Sequence, residues 1–348
     1  MRFAVDARDL VSDTRGIGRY TRAILRRLVA YDDFALTLLT KSAFSLAHRK
    51  RFARAIGSDH FSVAARARNV DVIWHPANGT FFDAAAPAVA TIHDAVPFRF
   101  PAHDPKQRER QQAPFLRSAR HASRVVAVSH FGRSEIHQVL GVPLERIDVV
   151  YHGVEPFFSP GNADDLLPAP LRGRPYFLFV GDPTAEPRKN FAVLCAAYRG
   201  AFGSRNGPAL AVVGAHSPLP SDVIDAGVAG ADMFGEGDAF LWALYRRAVA
   251  LCIPSYYETF GMPMIEAMAC GTPVLAARSS CLPEVGGDAA LYVDPHDAGA
   301  WSEALQRIAS DATLRHDRAA AGRGQARRYD WDLSAQQHAA IFRSAYAT

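Results

Sequence analysis

Residues 253–274 read IPSYYETFGMPMIEAMACGTPV, and the fold is decided by how this stretch divides. Short apolar runs at its two ends, Ala250–Ile253 and Val274–Ala277, have the length and composition of buried strands. Gly261 and Pro263 interrupt any single helix from Glu258 to Glu266. Proline is tolerated in a helix's first turn, so the helix is predicted to start near Pro263. Glu258 then sits in the loop ahead of a helix N-terminus, and Glu266 lies about one turn inside it. Amides exposed at such an end bind phosphate, and nearby carboxylates accept hydrogen bonds from hydroxyls. A ligand carrying phosphate and many hydroxyls fits this layout, and a nucleotide sugar is such a ligand.

Outward from this unit, short apolar runs alternate with helix-like stretches across nearly the whole chain, the pattern of a doubly wound α/β protein. Strands are predicted at Arg2–Ala7, Ala35–Leu39, Val70–Trp74, Ala88–Ile92, Val125–Val128 and Ile147–Tyr151. A second set is predicted at Tyr176–Val180, Ala209–Val213, Ala250–Ile253, Val274–Ala277 and Ala290–Val293. Between the sets, Pro156–Pro175 is rich in Pro, Gly, Asn and Asp and reads as a linker. The expectation is two Rossmann-like domains, 1–160 and 161–330, facing each other across a cleft lined by strand C-terminal ends. Residues 331–348 read as a closing helix. There is no fixed-period repeat and no low-complexity segment.

A chain of 348 residues with 49% hydrophobic and 10% aromatic content suits about two domains with ample cores. No apolar run approaches the roughly 18 residues that span a bilayer. The opening Met1-Arg2-Phe3-Ala4-Val5-Asp6 goes straight into a strand pattern, unlike a secretory signal. Cys195, Cys252, Cys270 and Cys281 lack metal-type or redox-type spacing and read as buried thiols in a reducing cytoplasm. Residues 1–160 hold 23 Lys/Arg against 15 Asp/Glu, whereas the remainder holds 16 against 20. That asymmetry points the first half toward an anionic partner or membrane. His48, Arg49, Lys50, Arg51 and Arg54, set among Phe44, Leu46, Phe52 and Ile56, make either an amphipathic interfacial helix or a solvated helix face. No nucleic-acid motif accompanies the charge.

Residues 178–190, LFVGDPTAEPRKN, supply a strand, a Gly-containing turn, then Arg188-Lys189-Asn190 opening a helix. Two cations just past a strand's C-terminal end are well placed for a diphosphate. Arg15-Gly16-Ile17-Gly18-Arg19-Tyr20 lets a backbone approach an anion, but Thr21 replaces the third glycine of a dinucleotide fingerprint. Residues 91–101, TIHDAVPFRFP, place His93-Asp94 after a strand, with Asp94 an orienter or helix cap. Ser129 reads as a further cap. Asp330-Trp331-Asp332 has an acid-x-acid pattern but lies after the last Rossmann-like unit, away from any strand end, and no cluster has good metal spacing.

Glu258 and Glu266, continued by Cys270-Gly271-Thr272-Pro273-Val274 and Leu282-Pro283-Glu284-Val285, resemble the E-x7-E element of retaining GT-B glycosyltransferases of family 4. The resemblance implies a GT-B fold with an acceptor-side first domain, a nucleotide-sugar-binding second domain, and a last helix crossing back onto the first. It implies that Arg188 and Lys189 hold the donor diphosphate, helped by the helix start at Gly261. By the same resemblance Glu258 binds hydroxyls of the donor sugar and Glu266 the nucleotide ribose, with Thr259 and Phe260 in the donor loop. Gly16 and Gly18 would approach donor phosphate and acceptor, Phe234 and Gly235 the base, and His93 the transferred sugar, donating a hydrogen bond to a hydroxyl. The chain departs from the family at His152, where Asn is common before Gly-Val.

The implied reaction is metal-independent, cofactor-free, retaining transfer of a hexose to a saccharide acceptor. Residues 91–101 and Pro187-Arg188-Lys189-Asn190 look most like bacterial mannosyltransferases of surface-polysaccharide assembly. That makes GDP-mannose the first donor, with UDP-glucose and other nucleotide hexoses as alternatives. A lipid-diphosphate-linked acceptor would suit the basic first half, working in the cytoplasm and peripherally on the inner face of the membrane. A glycoside hydrolase using Glu258 and Glu266 leaves the cation pair without purpose. A nucleotide-sugar epimerase, an NAD enzyme and a non-catalytic binder are the other readings.

Overall fold

The computed structural model describes residues 1–13, 16–40, 46–161, 164–203, 207–227 and 236–347; Arg15, Phe44, Phe234 and Gly235 lie outside the described residues. The chain divides into two compact units, Met1–Gly153 with Asp330–Thr348, and Val154–Tyr329.

The first unit carries a parallel sheet of β1 (Arg2–Asp6), β2 (Ala35–Leu39), β3 (Ser62–Ala64), β4 (Val72–His75), β5 (Ala88–Ile92), β6 (Arg124–Ala127) and β7 (Ile147–Val149). Its order is β3-β2-β1-β4-β5-β6-β7. The helices α1 (Gly16–Leu28), α2 (Leu46–Ile56), α3 (Val96–Arg99), α4 (Pro105–His121) and α5 (His130–Leu140) connect these strands. The second unit carries β8 (Tyr176–Val180), β9 (Ala209–Val213), β10 (Val223–Gly227), β11 (Ala250–Ile253), β12 (Val274–Ala277) and β13 (Leu291–Val293), in the order β10-β9-β8-β11-β12-β13. With them run α6 (Phe191–Phe202), α7 (Glu236–Arg247), α8 (Met262–Ala269), α9 (Leu282–Gly286), α10 (Ala298–Ser310) and α11 (Ala312–Ala326). The last helix, α12 (Trp331–Ala347), belongs to the first unit. Central strands such as β4, β9 and β11 are buried at every residue. They therefore read as continuous apolar runs rather than alternating ones.

Two edge strands escaped the sequence reading. β3 has three residues with little burial, and β10 carries Asp225 and a register irregularity before Gly227. Edge strands need only one apolar side, so the apolar-run signal fails there. The segment Pro156–Pro175 is not a free linker. Phe158, Leu167 and Leu171 are buried, and the Trp242 indole donates to the Ser159 carbonyl at 2.7 Å, which fixes it in the second unit.

α12 closes the first unit through aromatic packing. Phe342 lies 4.6 Å from Phe3 and 5.5 Å from Trp74, ring centre to ring centre. Where Gly153 meets the start of α12, a Cβ would stand 2.2 Å from the Trp331 nitrogen, so only glycine fits. The Asp330 carboxylate accepts from the Asp332 amide, and Asp332 pairs with Arg27. The acid-x-acid sequence therefore starts and anchors a helix.

On α2 the apolar side is used internally. Phe52, Ala55 and Ile56 are buried, while Lys50, Arg51 and Arg54 are exposed. Phe52 and Ile56 are therefore not available to enter a bilayer, and of the interfacial-helix option's other apolar residues, Phe44 and the Leu46 side chain lie outside what the structure describes. Among the described residues no helix is long and apolar enough to cross a membrane. The four cysteines are buried and unbridged, and burial pushes each thiol up, to about 11 for Cys195.

Candidate active site

The connections of the second sheet run in opposite directions from β8 and β11, which pair side by side. Loops after such strands diverge and leave a crevice at their carboxyl ends. Both sequence motifs emerge there. After β8 the chain turns at Gly181, whose φ of 130° excludes ordinary side chains, and a Cβ there would meet Lys189 Cδ and Cε at 2.8 Å. A short 3-10 turn, Pro187–Lys189, then presents the two cations before α6. Asn190 adopts a left-handed φ of 55° and donates to the Pro254 and Pro295 carbonyls at 3.1 and 2.8 Å. The Tyr256 amide donates to the Arg188 carbonyl at 2.8 Å, joining this turn to the loop after β11.

On that loop Glu258 is the focus. Ser255 donates to Glu258 Oε1 at 3.0 Å, and Lys189 Nζ lies 3.4 Å from the same oxygen. Arg188 Nη1 stands 3.3 Å from Glu258 Oε2 and also donates to the Tyr257 carbonyl at 3.0 Å. The Glu258 amide donates to the Ser280 hydroxyl at 3.0 Å. Burial alone would raise the Glu258 carboxyl, but Lys189 and then Arg188 hold it below its ordinary value. Lys189, Ser255, Glu258, Gly261 and Pro263 line one recess with the end of β8. Gly261 holds a left-handed φ of 79° immediately before α8, and the helix starts at Met262, one residue ahead of the predicted Pro263.

The remaining donor-side residues are placed differently. Glu266 is 2% exposed and accepts from the Tyr245 hydroxyl at 2.9 Å. Phe260 is buried edge-on against Tyr329, and Thr259 is half-buried. Glu186, Ser255 and Ser280 were not singled out from sequence. Their signal was adjacency to the cations for Glu186 and to Glu258 for Ser255, whereas Ser280 is 22 residues away and reachable only through the fold.

In the first unit, His93 follows β5. Its amide donates to Asn78 Oδ1 at 2.6 Å, and Nε2 lies 2.7 Å from the Pro76 carbonyl. A carbonyl only accepts, so Nε2 carries the proton. Burial lowers the His93 pKa, and the Pro76 bond offsets this in part. The neutral ring therefore presents Nδ1 as an acceptor, which corrects the expected donation to a hydroxyl. The ring stacks on His152 at 5.5 Å and meets Tyr20 edge-on at 4.7 Å. Ser129 caps α5 by accepting from the Gly132 amide, whereas Asp94 accepts from the Val96 amide in the turn before α3, whose N-cap is Ala95, so the expected cap at Asp94 is corrected to a turn contact. Gly16 is exposed at the first residue of α1. Gly18 is packed so closely on the preceding turn that a Cβ would sit 1.8 Å from the Asp13 carbonyl oxygen. Among the described residues, the recess that Gly18 lines is also lined by Asp6, Asp9 and Asp13.

Comparison with known proteins agrees with this architecture. Residues 14–156 match the Glycosyltransferase Family 4 domain, and residues 170–325 match Glycosyl transferases group 1. O-antigen chain mannosyltransferase B of Escherichia coli is 31% identical over 274 residues, covering 75% of this chain and 71% of that protein. Sucrose-phosphate synthase from Thermosynechococcus elongatus superposes with a TM-score of 0.73 at 20% identity, covering 100% of this chain and 99% of that one. Anabaena HepE, solved with UDP and glucose, does so at 0.70 and 17% identity, covering 99% and 100%. At those identities the two structures speak for the fold alone. Sequence and fold together make the chain a glycosyltransferase of family 4, group 1, built on the GT-B fold.

Proposed function

We propose that the chain transfers a hexose from a nucleoside diphosphate sugar to a saccharide acceptor with retention at the anomeric carbon. The observation that carries this is the convergence of Arg188 and Lys189 on Glu258 where β8 and β11 part. In this reading the two cations and the amides before α8 take the diphosphate charge, Glu258 accepts from sugar hydroxyls, and Glu266 accepts from the ribose. The bond from the anomeric carbon to the phosphate oxygen breaks as the acceptor oxygen bonds on the same face. The acceptor proton passes to the departing phosphate oxygen. His93 Nδ1 accepts from a hydroxyl of the transferred sugar, and the turn at Gly16 and Gly18 shapes the acceptor side.

GDP-mannose is the first donor, its mannosyl group supported by the relative named as a mannosyltransferase. Thermal unfolding with GDP, UDP, ADP and dTDP tests this. A nucleotide at about 100 times its Kd adds roughly 2.7 kcal/mol, a shift of a few degrees in Tm. GDP is expected to give the largest shift. A shift with UDP alone would transfer the reading to a UDP-hexose, and no shift with any of the four would reject it.

A lipid-diphosphate-linked acceptor at an anionic membrane surface is supported by the excess of Lys and Arg over residues 1–160 and by exposed Lys106, Arg108 and Arg110 on α4. With the apolar side of α2 internal, attraction to lipid would be electrostatic, placing the enzyme peripherally on the cytoplasmic face. Flotation with vesicles containing anionic lipid is expected at low salt and to disappear at roughly 0.5 M salt. Absence of flotation at low salt would remove the membrane from the proposal.

A further inference from the structure

We infer that Glu186 is a built-in counter-ion that occupies the diphosphate's place on Arg188 and Lys189 and must swing away for the donor to bind. The inference rests on the proposed role of those two cations. Glu186 Oε1 lies 3.4 Å from Arg188 Nη2, and Oε2 lies 3.4 Å from Lys189 Nζ. One carboxylate therefore spans both cations from one side while Glu258 spans them from the other. Two positive and two negative side chains make a neutral cluster. A diphosphate entering it gains little net attraction unless one carboxylate leaves.

The two carboxylates are not equally free to leave. The Glu258 side chain is 13% exposed, and it is held by the Ser255 hydroxyl as well as by the cations. The Glu186 side chain is 35% exposed, and its described carboxylate contacts are the two cations alone. Cation contacts of 3.3–3.4 Å are similarly long for both carboxylates, so exposure and the Ser255 bond are what distinguish them. Glu186, Arg188 and Lys189 share one short turn, so a side-chain rotation is enough to exchange the carboxylate for phosphate oxygens. Glu186 thus screens the cations from weaker anions when no donor is bound, and it sets a threshold that a multiply charged ligand overcomes.

Calorimetric titration of the whole chain with GDP and UDP tests this. Glu186→Gln and Glu186→Ala are both expected to bind the tighter of the two nucleotides about three- to tenfold more strongly than the parent, with a steeper dependence on salt. Affinity for the corresponding nucleoside, which has no phosphate, should not change. The alanine variant controls for an amide that itself donates to phosphate, and an unchanged Tm confirms that both variants fold. Equal or weaker nucleotide binding by both variants would overturn the counter-ion role. Lys189→Ala in the same titration separates the two layers. If it binds the diphosphate as the parent does, the cation clamp itself fails. If it binds more weakly while the Glu186 variants do not tighten, the clamp stands and only this inference falls.

Discussion

Lys189→Ala is expected to lower turnover by about 10²–10³, and Arg188→Ala with Lys189→Ala to take it below detection. That is the scale lost when a preorganised donor to developing negative charge is removed. A loss this large has a trivial rival, because either change also strips a partner from Glu258. An ion pair broken in a buried site costs about 3–5 kcal/mol, and less here because Glu258 and Lys189 keep some exposure. The two effects separate in the double variant Lys189→Ala/Glu258→Gln. Neutralising a carboxylate that has lost one of its two cations should return part of the lost Tm, yet turnover should stay at the level of the single variant or lower. If Arg188→Ala/Lys189→Ala keeps turnover within tenfold of the parent at saturating donor, the cations do not hold the leaving group.

Acid should loosen the first unit well before carboxylates protonate. His93, His152 and His338 lie in one aromatic cluster with Tyr20, Trp74 and Trp331. Burial lowers all three pKa values, that of His152 well below 6.5 and that of His338 to about 4. Burial holds His338 neutral against the opposing pull of its Ser334 bond, and a chain of hydrogen bonds fixes its tautomer. Its Nδ1 bonds the Ser334 carbonyl at 2.7 Å, and its Nε2 is therefore left to accept from Tyr20 at 2.6 Å. Tyr20 in turn accepts from Thr91, which accepts from the Trp74 indole.

Because the folded values lie below the unfolded one, the unfolded chain takes up these protons first. The stability they confer is complete above pH 6.5 and is lost as pH falls toward the folded values. His338 alone accounts for about 3 kcal/mol by pH 4. Urea unfolding should show stability declining from pH 7 to 5, with α12 amides exchanging hydrogen faster after correction for intrinsic rates. A flat profile over that interval would show that these rings are not buried neutral.

The β8–β11 neighbourhood was largely legible in the sequence because its signals are local. Apolar runs marked the central strands, Gly261 and Pro263 marked the α8 start, and the cations followed directly on a strand. What stayed hidden depends on contacts distant in sequence. Glu258 and Lys189 are 69 residues apart, and which oxygen faces which cation follows from strand order rather than from either motif. Edge strands β3 and β10 were missed because they lack a fully apolar run. Pro156–Pro175 was misread because turn residues dominate its composition, while the buried Phe158, Leu167 and Leu171 that pin it are too few to form a pattern. The protonation of His93 needed the Pro76 carbonyl, which only coordinates place beside it.

The placement of α12 has a consequence for biosynthesis. The bond between Tyr20 and His338 spans 318 positions, so translation at ~5–20 residues per second separates the two by roughly 15–60 seconds. Throughout that interval Phe3, Tyr20 and Trp74 await the helix that covers them, while the Val154–Tyr329 unit is contiguous in sequence and waits for no such distant segment. The half of the enzyme that is born first is completed last, and its unsealed apolar seat is where a nascent-chain chaperone would find its hold.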